Sequence, residues 1–377
     1  MIMNILPSQA NFTITSYPIE FQQIIQEKTQ NFVDRPFIFN AIKKFLYRHN
    51  CGYFTIVGAP GCGKSAILAK YVINNPSAVY YNAQVADKNH ADKFLRSVCK
   101  QLMQRLDNGD TVLPDNVTEG SWFLSLLLQR ISNKLKPNQN LIITIDALDA
   151  ININHQPPGS NVFYLPKYLP QGVYFVLAQR PYLREKSGIF IETPSQILNL
   201  AAYPEQSQID TLVYIRQYLT LLKGLQEKSH IDNEQLITYL STESEGNFMY
   251  LSQILPSIAN GFYPEALHRH RLSRNLEIYY QQHWQKIKAQ GLSSTALEVL
   301  YVLTSIEKGK KVSVKAITEV IGKDEYEVEE VLENWLEFLV QQKVSTETHY
   351  CFYHDSFRDW LAEQLVNPVM SLSENNN

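Results

Sequence analysis

The stretch Gly58-Ala59-Pro60-Gly61-Cys62-Gly63-Lys64-Ser65 restricts this chain more than any other. Gly58, four residues, then Gly63-Lys64-Ser65 is the spacing of a loop whose backbone N–H groups cradle phosphate oxygens. Glycine at 58 and 63 permits the turns that aim those groups at an anion. A helix opening near Lys64 adds the positive end of its dipole. Lys64 can then set a point charge on the β- and γ-phosphates, and the Ser65 hydroxyl can ligate Mg2+. Ala59, Pro60, Gly61 and Cys62 fill the loop, and Ala66 follows it into the helix. The context fits as well: Tyr53–Val57 (YFTIV) reads as a buried parallel strand immediately before the loop.

Strands and helices go on alternating. Val79–Asn82 and the apolar runs Leu141–Ile145 and Val173–Ala178 read as strands. Ala91–Leu106 carries apolar residues at helical spacing, and Ser121–Leu135 reads as a further helix. Strands separated by helices predict an α/β fold with a parallel sheet. After about residue 200 the pattern turns helical, with segments at Ile209–Leu222, Asp232–Leu240 and Phe248–Ile258. From Ser294 the pattern predicts helices over Thr295–Thr304, Val314–Ile321 and Asp324–Leu339. A hairpin over Val340–Tyr353 and a closing helix over His354–Leu365 complete the set expected of a winged helix. The expected organisation is a polar lead-in (1–29), a phosphate-loop domain (30–200), a helical domain (201–290), a winged-helix domain (291–366) and a disordered tail (367–377).

A chain of 377 residues exceeds one compact core, which agrees with several domains. Its 34 basic and 37 acidic side chains leave a net charge of −3, so no global field draws it to nucleic acid or anionic lipid. The four cysteines form no CxxC pair, which argues against a zinc site or a disulfide framework. No apolar run reaches membrane-spanning length and the first residues lack the features of a secretory signal, so the expectation is a cytoplasmic protein.

Two further positions suggest chemistry beside the loop. Ile143-Thr144-Ile145-Asp146 ends an apolar strand in a carboxylate, where such a group holds Mg2+ in loops of this kind. Asp149 is placed either to polarise an attacking water or to cap a helix. Gln179-Arg180-Pro181 ends the next strand, and Arg180 could report a γ-phosphate.

The order of these segments resembles the STAND class of signal-transduction NTPases, in particular the NACHT-like, AAA+-related group often fused to WD or other repeats. "FVDRPFIF" lies upstream of the loop, "DALDA" ends the acidic strand and "QRP" follows the next. "EGNFMYL" lies in the helical region and "FYHDSFRDWL" in the last unit. The resemblance spans about residues 30–366. It implies that Val33 and Arg35 hold adenine and that Gly246-Asn247-Phe248 closes over the nucleotide, with Phe248 where proline is usual. It also implies that His354 touches the β-phosphate of ADP. Ala150 stands where the family often has Glu, and Gln179 where Ser or Thr is usual, so slow hydrolysis is implied.

The resemblance implies an ATP/ADP switch with Mg2+, a weak ATPase at most, which assembles with itself or with protein partners and lacks the sensor domain of its relatives. One alternative is an AAA+ DNA-handling ATPase. The acidic run Asp324-Glu325-Tyr326-Glu327-Val328-Glu329-Glu330 in the expected recognition helix opposes that, since a groove-binding helix should be basic. The basic cluster His268-Arg269-His270-Arg271 with Arg274 reads as a solvated helix face. A hydrolysis-deficient scaffold remnant is the other alternative. Neither specific nucleic acid nor a membrane is an expected partner. The absence of a guanine-reading NKxD motif favours ATP over GTP.

Overall fold

The computed structural model describes residues 17–107, 112–152, 156–157, 159–181, 189–223, 233–259, 280–281, 284–285, 287–289, 291–307, 310–336, 338–344, 347–352 and 357–365. The chain divides into two compact units. The first runs up to Gly58, resumes over Gly63–Arg180 and ends at Leu200. The second takes Ala59–Cys62 and the chain from Ala201 onward.

The first unit is built on a five-stranded sheet. Its strands are β1 (Gly52–Val57), β2 (Val79–Asn82), β3 (Leu141–Asp146), β4 (Val173–Gln179) and β5 (Ser195–Asn199), in the order β2-β3-β4-β1-β5. Every neighbouring pair is parallel. The first four strands are buried along their whole length, as parallel strands covered on both faces must be. β4 is inserted between β1 and β3, so its C-terminal end emerges between the start of the phosphate loop and the acidic strand end.

Helices α1 (Ile19–Thr29), α2 (Pro36–Arg48), α3 (Lys64–Asn74), α4 (Ala91–Asp107) and α5 (Trp122–Lys134) complete this unit. α2 opens with proline at its first position, where the missing N–H costs nothing. α1 occupies the stretch expected to be a lead-in. It packs on α3 and seats Phe21, fully buried, edge-on against Tyr80 and Tyr81. Tyr17 fixes its start by donating to the Ala78 carbonyl at 3.0 Å.

In the second unit α6 (Pro204–Lys223), α7 (Asn233–Ser244) and α8 (Phe248–Ala259) pack against one another. Further along, α9 (Ser294–Ser305), β6 (Val312–Ser313), α10 (Val314–Ile321), α11 (Glu325–Asn334), β7 (Leu339–Val344) and β8 (Glu347–Phe352) follow, and residues 357–365 are helical. The three strands form an antiparallel sheet in the order β6-β8-β7. Ser293, Ser313 and Asp324 each cap a helix with a side-chain oxygen. Gly322, at φ 66°, ends α10 in the left-handed conformation that glycine adopts most readily. Phe338 stacks on Phe357 with centroids 4.1 Å apart, and Trp335 and Trp360 pack around the pair. No described helix is long and apolar enough to cross a membrane.

α11 stops at Asn334, short of the expected Leu339. Its apolar period does continue through Trp335, Leu336, Phe338 and Leu339, but these buried residues leave the helix and lead into β7. His354, Asp355 and Tyr353 lie outside the described residues, as do the basic cluster at 268–274 and the tail.

Candidate functional site

Lys64 opens α3 directly after Gly63, whose φ of 90° is a left-handed conformation that side chains rarely adopt. The Lys64 ammonium donates to the Gly58 carbonyl at 2.5 Å, across the neck of the loop. Gly58 in turn donates its N–H to the Gln179 carbonyl at 3.3 Å, which ties the start of the loop to the end of β4. Ala59 and Cys62 are buried.

Asp146 ends β3 with its side chain 1% exposed. One carboxylate oxygen accepts from Asn82 Nδ2 at 3.0 Å and from the Tyr80 hydroxyl at 3.4 Å. The other accepts from the Ala147 N–H at 2.8 Å. The Ser65 hydroxyl also donates to this carboxylate, and the Lys64 charge acts on it. Burial nevertheless dominates and pushes the Asp146 carboxyl above its ordinary value. Burial and Asp146 together hold the Tyr80 phenol well above its usual range, so it stays a donor.

Asn82 was not singled out from the sequence. The available signal was a strand, VYYN, that ends in a polar residue: β2 pairs with β3 so that Asn82 lies beside Asp146. Asn82 is itself held in place, because its Oδ1 accepts from the Gln84 N–H at 2.8 Å.

Asp149 lies in a short 3-10 turn, Leu148–Ala150, entered through Ala147 at φ 54°. Its carboxylate grips Arg180 twice. Arg180 Nε lies 3.0 Å from one oxygen, and the Arg180 backbone N–H donates to the other at 2.9 Å. Both side chains are about four-fifths buried, at 18% and 21% exposure.

Upstream, Val33 and Arg35 are both buried, and the Arg35 guanidinium lies 5.6 Å from the centre of the Phe37 ring. Arg35 stands at the N-terminal boundary of α2. In the second unit Phe248 is half-buried at the start of α8, its ring edge-on to Tyr214 at 5.6 Å. Ser65, Asp146, Lys64, Asp149 and Arg180 thus gather at the C-terminal ends of the strands of the first unit, where ligands of open parallel sheets bind. Among the described residues no group of three or more His, Cys, Asp or Glu could hold a metal on its own.

The sequence of residues 39–158 matches the family profile described as Nephrocystin 3, N-terminal. That segment spans the phosphate loop, Asp146 and Asp149. The first unit is a P-loop NTPase domain. In its motif order it resembles STAND/NACHT-like NTPases. Similar solved structures include point variants of RuvB from Thermotoga maritima. One is 13% identical with a TM-score of 0.31, over 80% of this chain and 85% of that one. Another is 13% identical with a TM-score of 0.33, over 85% of this chain and 94% of that one. No curated protein sequence matches the chain.

Proposed function

We propose that this P-loop NTPase domain binds ATP and ADP with Mg2+ and serves a signalling switch with slow hydrolysis. One observation carries the reading: Ser65 donates to a buried Asp146 beside Lys64, directly after a loop with phosphate-binding spacing. The donor set supports Mg2+, which takes a few hard oxygen ligands from protein and the rest from phosphate and water. Ser65 and Asp146 would hold the ion, and a buried carboxylate with a raised pKa gains most from a nearby cation. When bound, Mg2+ supplies Lewis-acid polarisation of phosphate oxygens.

The chain's own residues account for the remaining steps. Lys64 exchanges the Gly58 carbonyl for β- and γ-phosphate oxygens, a stronger charge-assisted contact. Loop N–H groups over 58–66 take the remaining oxygens. Val33 and Arg35 hold the base. Arg180 reads the γ-phosphate, and Asp149 holds Arg180 in place. With Asp149 engaged and Ala150 beside it, no carboxylate at this turn is free to activate water, which supports slow turnover.

The switch reading assigns the C-terminal elements to a winged helix and the ADP contact to His354, and it expects self-assembly or a protein partner in the cytoplasm. The exposed acidic side chains of α11 support a protein partner over DNA. The test is to identify the nucleotide that copurifies with the chain and to compare the Lys64→Ala variant. A wild-type chain that neither retains nor binds any nucleotide would overturn the reading.

A further inference from the structure

The crown of the phosphate loop, Ala59–Cys62, falls in the same compact unit as α8, and the contact between them is specific. The Phe248 N–H donates to the Gly61 carbonyl at 2.9 Å. A helix leaves its first N–H groups without partners inside the helix. Here each is accounted for. Asn247 Oδ1 accepts from the N–H of Met249 at 3.0 Å and of Tyr250 at 3.1 Å, and the Asn247 carbonyl accepts from Leu251 at 3.3 Å. The N–H of Phe248 goes to the loop. Asn247 is buried, and its own N–H donates to the Ser244 carbonyl at 2.7 Å. The turn before it runs through Glu245 and Gly246, both at positive φ.

The approach is so close that a Cβ on Gly61 would lie 2.1 Å from Asn247 Oδ1 and 2.6 Å from its Cγ. Gly61 also sits at φ 81°, so both its backbone and its surroundings require glycine. A trans peptide points its C=O and N–H in opposite directions. Holding the Gly61 carbonyl toward α8 therefore turns the Cys62 N–H back into the loop. There its contact is a long one, 3.4 Å to the Ala59 carbonyl, and readily given up to a stronger acceptor.

We propose that Asn247 is a positioning residue for phosphate binding. By capping α8 it presents the Phe248 N–H as a brace that fixes the Gly61–Cys62 peptide with its N–H facing the phosphate. The proposal rests on the nucleotide reading above and adds a coupling: phosphate in the loop and an ordered first turn of α8 stabilise each other.

The experiment uses the full chain with ADP and Mg2+ as the probe. Titration calorimetry compares wild type, Asn247→Ala and Asn247→Ser; serine keeps a capping oxygen, whereas alanine removes it. Asn247→Ala should weaken ADP by about three- to ten-fold, the scale of one lost cap, and Asn247→Ser should restore most of the loss. In the wild type, amide hydrogen exchange across the first turn of α8 should slow when ADP is added, a response that a purely structural cap would not give. This measurement decides the matter even if Asn247→Ala fails to fold. ADP binding to wild type with unchanged exchange at α8, or with unchanged affinity in Asn247→Ala, would overturn the brace alone. A wild type that binds neither ADP nor ATP would overturn the nucleotide reading and the brace together.

Discussion

Asp149 holds Arg180 by side chain and backbone at once, with Nε at 3.0 Å and the N–H at 2.9 Å from its two carboxylate oxygens. The sequence suggests water activation or helix capping for Asp149; the contact its carboxylate makes is with Arg180. The pair links the turn after β3 to the end of β4. Because the two residues act as a unit, their replacements should not add. In a double-mutant cycle of Asp149→Asn and Arg180→Gln, chemical denaturation should return a coupling of about 0.5–1.5 kcal/mol. Asp149→Asn should also slow turnover more than it weakens nucleotide. Additive effects would show that the pair is incidental.

Asp146 gives a pH dependence with a definite sign. Its folded pKa is raised by burial, so the nucleotide-free fold binds this proton more tightly than the unfolded chain does. The stability it contributes is fully present below its ordinary pKa and is lost as pH rises through the raised folded value. Binding of Mg2+ needs the carboxylate and so runs the other way. Mg2+-dependent ADP affinity should therefore fall as pH is lowered from neutral, starting above the ordinary carboxylate range. Mg2+-free affinity should change less over the same window. Titration calorimetry across that range, with and without the metal, checks both directions.

Asn82 should matter almost as much as the residues read from the sequence. Its amide is a neutral donor on one Asp146 oxygen, and removing it leaves a buried carboxylate short of a partner. Asn82→Ala should destabilise the nucleotide-free protein by about 1–3 kcal/mol, the cost of an unsatisfied buried group. Asn82→Asp should be worse, because it sets a second carboxylate against the first. Thermal unfolding of the two variants tests the order.

The acidic side chains of α11 lead to a prediction about partners. Glu325, Tyr326, Glu327, Glu329 and Glu330 are all exposed, so a DNA groove would repel this face. Duplex binding by the full chain should be weak and independent of sequence. Tight binding whose affinity falls steeply with salt would restore the DNA-handling alternative.

Much of the sheet was legible because its strands are buried on both faces and so read as unbroken apolar runs between helices. β2 and α10 appear with the bounds their patterns predict. β5 was missed: Ser195–Asn199 buries only Leu198 and leaves Ile197 62% exposed, so pairing with β1 makes it a strand and its composition does not. α1 was missed because Phe21 and Ile25 are its only buried residues, too few to set a period against the Gln and Glu around them. The loop with Lys64 and Ser65 stands out because its spacing is local, and Asp146 because it ends an apolar strand. The contacts of Asn82, Asn247 and Asp149 could not be read, because each is made through the fold: Asn82 with Asp146, Asn247 with Gly61, Asp149 with Arg180.

If the loop holds nucleotide through Lys64, calorimetric titration of the full chain with ADP and ATP in the presence of Mg2+ will show it. The wild type should bind both saturably. Lys64→Ala should lose about ten- to a hundred-fold or more in affinity, the scale of one charge-assisted contact, with the fold intact by circular dichroism. Equal affinity in the two proteins, or none in either, would rule out nucleotide binding through Lys64.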